Sequence, residues 1–148
     1  MYLLSLNQRN LHNLLDKFQT GKLSILVLDS NKELFRSSLS GIKPLLELVD
    51  RFPQGLEGAT VADRIVGACA ARIFVHLKVT KVLGETGSST AEKILKTAGT
   101  DFLFQETVPE ILNRAGTDTC PFEKLSTQYQ NPKDLIHAIR AKLAELQD

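Results

Sequence analysis

The sequence predicts an α/β protein, a three-layer α/β/α sandwich on a mixed sheet, and three observations carry that expectation. Two β-rich runs, Leu23–Leu28 and Glu33–Arg36, flank the polar stretch Asp29–Lys32 and read as an antiparallel hairpin. Strand-like runs at Val79–Gly84 and Phe102–Phe104 then alternate with helical segments, as in βα units whose strands lie parallel. One helical segment is apolar over a broad face and rich in small residues, so it needs a sheet to pack against at close range. A hairpin followed by βα units gives a sheet of mixed direction with helices on both faces.

Taken in order, Leu11, Leu14, Leu15 and Phe18 stand at helical spacing, with Gly21 as the stop. The hairpin follows. Gly41-Ile42-Lys43-Pro44 opens a short helix carrying Leu45, Leu46, Leu48 and Val49, which Pro53 and Gly55 break. Thr60-Val61-Ala62-Asp63 has the form of a capping box, a hydroxyl followed three residues later by an acid, and predicts a central helix from Thr60. Its apolar face would be Ile65, Val66, Cys69, Ala70, Ile73, Phe74 and Leu77. After the strand at 79–84, Ser89-Thr90-Ala91-Glu92 is a second box, opening a helix that ends at Gly99. The strand 102–104 leads into a mostly irregular stretch, residues 107–130, with a short turn at Glu110–Asn113. Asn131, Pro132 and Asp134 fit N-cap, N1 and N3 of a last helix, with Leu135, Ile139, Leu143 and Leu146 on its buried stripe. No repeat or linker divides the 148 residues, so residues 1–148 are expected to form one domain.

Composition narrows the function classes. Apolar residues make up 43% and charged residues 24%, and 18 basic side chains against 17 acidic ones leave a formal charge of +1. That balance argues against a nucleic-acid or anionic-membrane partner. The chain has no Trp, and aromatics at 6% supply few stacking platforms for bases. Met1–Leu6 lacks a basic flank and is too short for a signal segment, and no apolar run reaches the roughly 18 residues of a spanning helix. Two cysteines in such a chain read as reduced thiols, and the expected location is the cytoplasm.

Metal and cofactor chemistry finds little footing. Cys69 and Cys120 lie far apart in sequence, and His12, His76 and His137 form no pair at chelating spacing, so neither metal nor cofactor is expected. Gly87-Ser88-Ser89-Thr90 follows a strand and opens a helix, where free N–H groups could hold an anion, although the same residues serve simply as a cap. Asp63 and Arg64 are the polar pair at the expected front of the central helix. The segment from Asn113 to Glu123 gathers an amide, a guanidinium, a thiol and carboxylates in one loop, the kind of place where function resides.

The strings VPEILNRAGTDTCPFEKL (108–125), GIKPLLELVD (41–50) and VADRIVGACAARI (61–73) resemble the bacterial and archaeal family defined as domain of unknown function 1893, from about Leu11 to Leu143. The resemblance implies a cytidine deaminase-like fold. Zinc deaminases carry a His-Ala-Glu-like triplet at the start of the central helix and a Pro-Cys-x-x-Cys motif at the start of the next. Val61-Ala62-Asp63 would stand at the first place, keeping a carboxylate but no zinc ligand, and Gly87-Ser88-Ser89-Thr90 at the second, without a thiol. The resemblance therefore brings a fold without its zinc chemistry.

What remains is a metal-free pocket at that end of the sheet. Cys120 is the candidate nucleophile, with Asp63 or Glu123 as acid/base partner. Arg64, Ser88, Ser89, Asn113 and Arg114 are candidate ligand contacts. The expected function is an enzyme acting on a small polar molecule, with nucleotide-like compounds the first class to test. The alternative is a non-catalytic module that binds or senses such a ligand. A thiol switch between Cys69 and Cys120 is a third reading, and the sequence allows a homo-oligomer.

Overall fold

The computed structural model describes residues 14–30 and 32–147. Leu11, His12 and Asn31 lie outside the described residues. The helix α1 (residues 14–20) ends at Gly21, whose N–H reaches the Lys17 carbonyl at 3.0 Å. Then follow β1 (Ile25–Asp29), β2 (Lys32–Ser37), α2 (Lys43–Arg51), β3 (Thr60–Val66), α3 (Ala68–His76), β4 (Lys81–Ser88), α4 (Ser89–Ala98), β5 (Asp101–Val108), α5 (Pro121–Gln128) and α6 (Pro132–Gln147).

The five strands lie in the order β2-β1-β3-β4-β5. β1 runs antiparallel to both β2 and β3, while β3, β4 and β5 are parallel. The hairpin and the mixed sheet are thus as expected. Parallel neighbours need crossovers, and α3 and α4 supply them, so both fall on one face and pack on each other.

The central helix does not begin at Thr60. Residues 60–66 form β3, which pairs on both sides: Asp63 lies opposite Ile25 of β1 and Gly84 of β4. Thr60, Val61, Ile65 and Val66 are β-branched and suit a strand, and two ladders of backbone hydrogen bonds outweigh one capping box. Gly67 ends the strand and becomes the N-cap of α3. Ile65, expected on a buried helical face, is 51% exposed. The second half of that expected face holds, since Cys69, Ala70, Ile73 and Phe74 are buried in α3.

Two further corrections concern the later chain. The strands run on to Ser88 and Val108, so the cap of α4 is Ser88 rather than Ser89: its hydroxyl accepts the Ala91 N–H at 3.0 Å. Gly99 closes α4 in the left-handed conformation, φ 75°. The stretch 107–130 is not mostly irregular, because α5 occupies 121–128 with Pro121 in its first turn. In α6 the Asn131 Oδ1 accepts the N–H groups of Lys133 and Asp134 at 2.9 and 3.3 Å, as a cap should. Leu135 and Ile139 are fully buried and Leu143 partly so, but Leu146 is 60% exposed, beyond the helices that cover the stripe.

Burial falls into two clusters, one on each face of the sheet. The larger joins Val27, Val61 and Val82 to the apolar sides of α2, α3, α4 and α6, with Phe122 and Leu125 of α5 packed against it. The smaller sets Leu14 and Phe18 of α1, with Leu23, against Leu26, Ala62 and Leu83. Helix α3 is buried on nearly every side because α5 and α6 pack over it. This arrangement decides where the late segment goes: after β5 the chain must return across the front of α3.

Candidate functional site

In sheets of this kind, ligands bind beyond the carboxyl ends of the parallel strands, where helix fronts are free. Here β3 ends at Val66 and β4 at Ser88, and each leads directly into a helix. The segment after β5 folds back on itself before reaching them. Leu112 and Thr119 form an isolated antiparallel bridge, and Asn113 closes the turn between them. The Asn113 Oδ1 accepts the Thr117 N–H at 3.0 Å and its backbone N–H reaches the Asp118 carbonyl at 2.8 Å. Lys124 pairs with Asp118 at 2.5 Å across exposed surface and holds the latter's carboxyl below its ordinary value. The Cys120 N–H then donates to the Ile111 carbonyl at 3.0 Å, which fixes the start of α5.

Glu123, in the first turn of α5, reaches across to the front of α3. Its Oε2 accepts the Cys69 N–H at 3.2 Å. Gly67 offers α3 no capping side chain, so a carboxylate 54 residues beyond Cys69 takes that place. The glycine is there for space. Its φ of −93° suits any residue, but a Cβ would fall 1.6 Å from the Glu123 Oε1 and 3.0 Å from the Ile111 Cγ1. Burial pushes the Glu123 carboxyl up; the N–H groups of Cys69 and Ala68, the Ser126 side chain and the Arg72 charge pull it back.

Two further groups complete the cluster. Burial pushes the Cys69 thiol up, and the charges of Glu123 and Cys120 push in the same direction while Arg72 opposes them. Arg72 stands one turn beyond Cys69 on α3, and its Nε is buried without a hydrogen-bond partner among the described residues. Cys120 is half-buried and Cys69 only 3% exposed, so Cys120 is the more accessible of the two cysteines. The cluster can accept or release a proton at Glu123 and present sulfur at Cys120.

The other expected residues sit elsewhere or are occupied. Asp63 is buried in mid-sheet, and burial raises its carboxyl to about 7 against the N–H groups of Ile65 and Arg64 and the Arg64 charge. Neither cysteine nor Glu123 is among the groups acting on it. The Arg64 guanidinium bonds the Leu23 carbonyl at 3.0 Å. Ser88 is spent on its cap, and the Ser89 hydroxyl donates to the Val108 carbonyl at 3.4 Å. Arg114 is exposed and reaches the Ser40 hydroxyl at 3.5 Å. A cleft of about 370 Å³ lined by Asp16, Lys17, Thr20, Gly21 and Arg36 contains none of the candidate residues. Among the described residues, no group of three or more His, Cys, Asp or Glu converges as metal ligands.

Gly67 and Arg72 were not among the sequence candidates. The signal available was the strand-like run Thr60–Val66, interrupted by glycine and followed by Ala-Cys-Ala-Ala-Arg, which marks a helix front at Gly67. No local signal pairs that front with Glu123.

The family model for the domain of unknown function DUF1893 matches residues 13–143 of the chain. Among solved structures, the chain is similar to the crystal structure of a DUF1893 family protein (TM1506) from Thermotoga maritima. The two are 32% identical with a TM-score of 0.84, over 95% of this chain and 93% of that one. No curated protein matches the chain.

Proposed function

Since the chain belongs to the DUF1893 family, whose description carries no activity, we propose a function from the site alone: a thiol-dependent enzyme acting on a small polar molecule. One observation carries this reading. A reachable thiol, Cys120, and a carboxyl biased toward its protonated form, Glu123, stand on the same first turn of α5 and face the front of α3. The thiol would attack an electrophilic carbon, and the carboxyl would supply or take the proton. Arg114, exposed on the preceding turn, offers a cation at the rim for an anionic group such as a phosphate or carboxylate. Nucleotide-like compounds remain the first substrate class to test. Asp63 has no part in this scheme, since the groups acting on it belong to its own strand.

The architecture also supports a deaminase-like reading. Zinc deaminases place their two motifs at the fronts of two successive helices. Here those fronts hold Gly67-Ala68-Cys69 and Ser88-Ser89-Thr90, with Glu123 over the first. On this reading a carboxylate from the late segment occupies ground that deaminases give to their metal centre, and the chemistry passes to side chains.

The test is alkylation by dilute iodoacetamide near neutral pH. A thiol built for attack reacts faster in the folded chain than in urea, whereas a merely half-buried one reacts more slowly. The reading expects Cys120 to be alkylated faster in the folded state than in the unfolded one, and Cys69 at least ~10-fold more slowly than Cys120. Slower labelling of Cys120 in the folded chain would overturn it.

A further inference from the structure

Cys69 at the front of α3 and Cys120 at the start of α5, 51 positions apart in sequence, belong to two segments that pack against each other. The two segments are joined at two points. Glu123, three residues beyond Cys120, holds the Cys69 N–H at 3.2 Å. Ile111, whose carbonyl holds the Cys120 N–H at 3.0 Å, sets its Cγ1 3.0 Å from where a Gly67 Cβ would lie. We infer that Cys69 and Cys120 are a redox pair, with Cys120 taking the oxidant and Cys69 resolving it into an intramolecular disulfide.

The asymmetry between the two thiols supports these roles. Cys69 is 3% exposed inside the main core cluster, whereas Cys120 is half-buried at the N-cap of α5 and its side chain makes no capping bond. Reagents in solution therefore meet Cys120 first. The Cys120 charge is among the influences that raise the Cys69 thiol, which agrees with the packing of their two segments. A disulfide needs Cα atoms about 4.4–6.8 Å apart. The element free to adjust is α5, which has eight residues and buries only Ser126 fully.

The chemistry balances with a peroxide as oxidant. The Cys120 sulfur attacks one peroxide oxygen; an S–O bond forms, the O–O bond breaks, and the remaining oxygen leaves as water or an alcohol. Cys69 sulfur then attacks the sulfenic sulfur of Cys120. An S–S bond forms, the S–O bond breaks, and the hydroxyl leaves as water with the proton released by Cys69. Glu123, whose carboxyl already lies on the Cys69 backbone N–H, serves as the carrier of that proton. With hydrogen peroxide the sum is two thiols and one peroxide giving one disulfide and two waters.

The experiment treats the folded full chain with a small excess of hydrogen peroxide and follows intact mass and thiol titre. The pair predicts a monomer lighter by about 2 Da, loss of both thiols in a maleimide titration under denaturant, and recovery of both with dithiothreitol. Cys69→Ala should instead accumulate a sulfenic acid trapped by dimedone, and Cys120→Ser should keep its remaining thiol at the same dose. A wild-type chain that gains oxygen while Cys69 stays titratable, or that joins two chains through Cys120, overturns the inference. The wild-type result does not depend on whether either variant folds. It is also separate from the enzymatic reading, since failure to form the disulfide leaves the alkylation kinetics of Cys120 unaltered.

Discussion

Gly67→Ala tests the central geometric claim, that a carboxylate from α5 caps α3 in the space left by a missing side chain. The backbone at φ −93° and ψ −175° accepts alanine without strain. Reducing the freedom of the unfolded chain would favour the variant by about 0.4–1 kcal/mol. Against this stands the overlap: the new Cβ would lie 1.6 Å from the Glu123 Oε1 and 2.5 Å from its Cδ. No adjustment of a few tenths of an ångström relieves that, so the carboxylate must withdraw. Withdrawal forfeits a charge-assisted bond to the Cys69 N–H, about 1.5–3 kcal/mol, and leaves the front of α3 uncapped. The loss wins, and the expected destabilisation is about 1–3 kcal/mol.

Urea denaturation of Gly67→Ala, Glu123→Ala and the double variant isolates the effect. Once Glu123 is shortened, the overlap is gone, leaving the Ile111 Cγ1 at 3.0 Å as the nearest obstacle. In that background Gly67→Ala should change stability by less than about 0.5 kcal/mol, giving a coupling on the order of 1–2 kcal/mol. The cycle is run at one pH. A carboxyl raised in the folded state contributes stability that is full below its unfolded value and is lost as pH rises through the folded one. Equal cost in both backgrounds, or no cost in the wild type, would refute the reasoning.

Ser88→Ala removes a buried cap and should cost about 0.5–2 kcal/mol, while Ser89→Ala should fall within about 0.5 kcal/mol of the wild type; the same urea titration ranks them, and a larger loss at Ser89 contradicts the cap assignment. Asp63, raised from 3.8 to about 7 by burial, should add stability that is full below about 4 and declines to nothing as pH rises through about 7. That change is on the order of 4 kcal/mol over the interval, and Asp63→Asn should flatten its share; an unchanged pH profile in the variant would show that the carboxyl is not held protonated.

The parts of this molecule that were legible in its sequence are those decided by neighbours along the chain. The hairpin, the caps of α6 and the left-handed Gly99 each depend on a few adjacent residues, and each is present. The strand β3 was not legible, because its state depends on pairing with β1 and β4, which the local hydroxyl-to-acid spacing does not report. Helix α5 had Pro121 and the acid Glu123 in its first turn, but Cys120 is no standard cap, and Phe122 and Leu125 are only partly buried against α3.

The candidate site divides in the same way. Cys120 and Glu123 could be singled out as reactive types close in sequence, but their partners Gly67, Cys69 and Arg72 belong to another element. The pairing across that distance also sets a chemical condition. While the Glu123 carboxylate accepts the Cys69 N–H it serves as a cap, and the oxygen so engaged is less available to move a proton. On the proposed reading, chemistry at Cys120 calls for Glu123 either to use its second oxygen or to leave the helix front. Glu123→Gln separates the two roles: its amide oxygen can still cap α3, but it cannot exchange a proton. A variant that keeps wild-type stability in urea but loses the fast alkylation of Cys120 assigns the carboxyl to the thiol's reactivity, as the proposed function expects; one that loses stability alone assigns it to the fold.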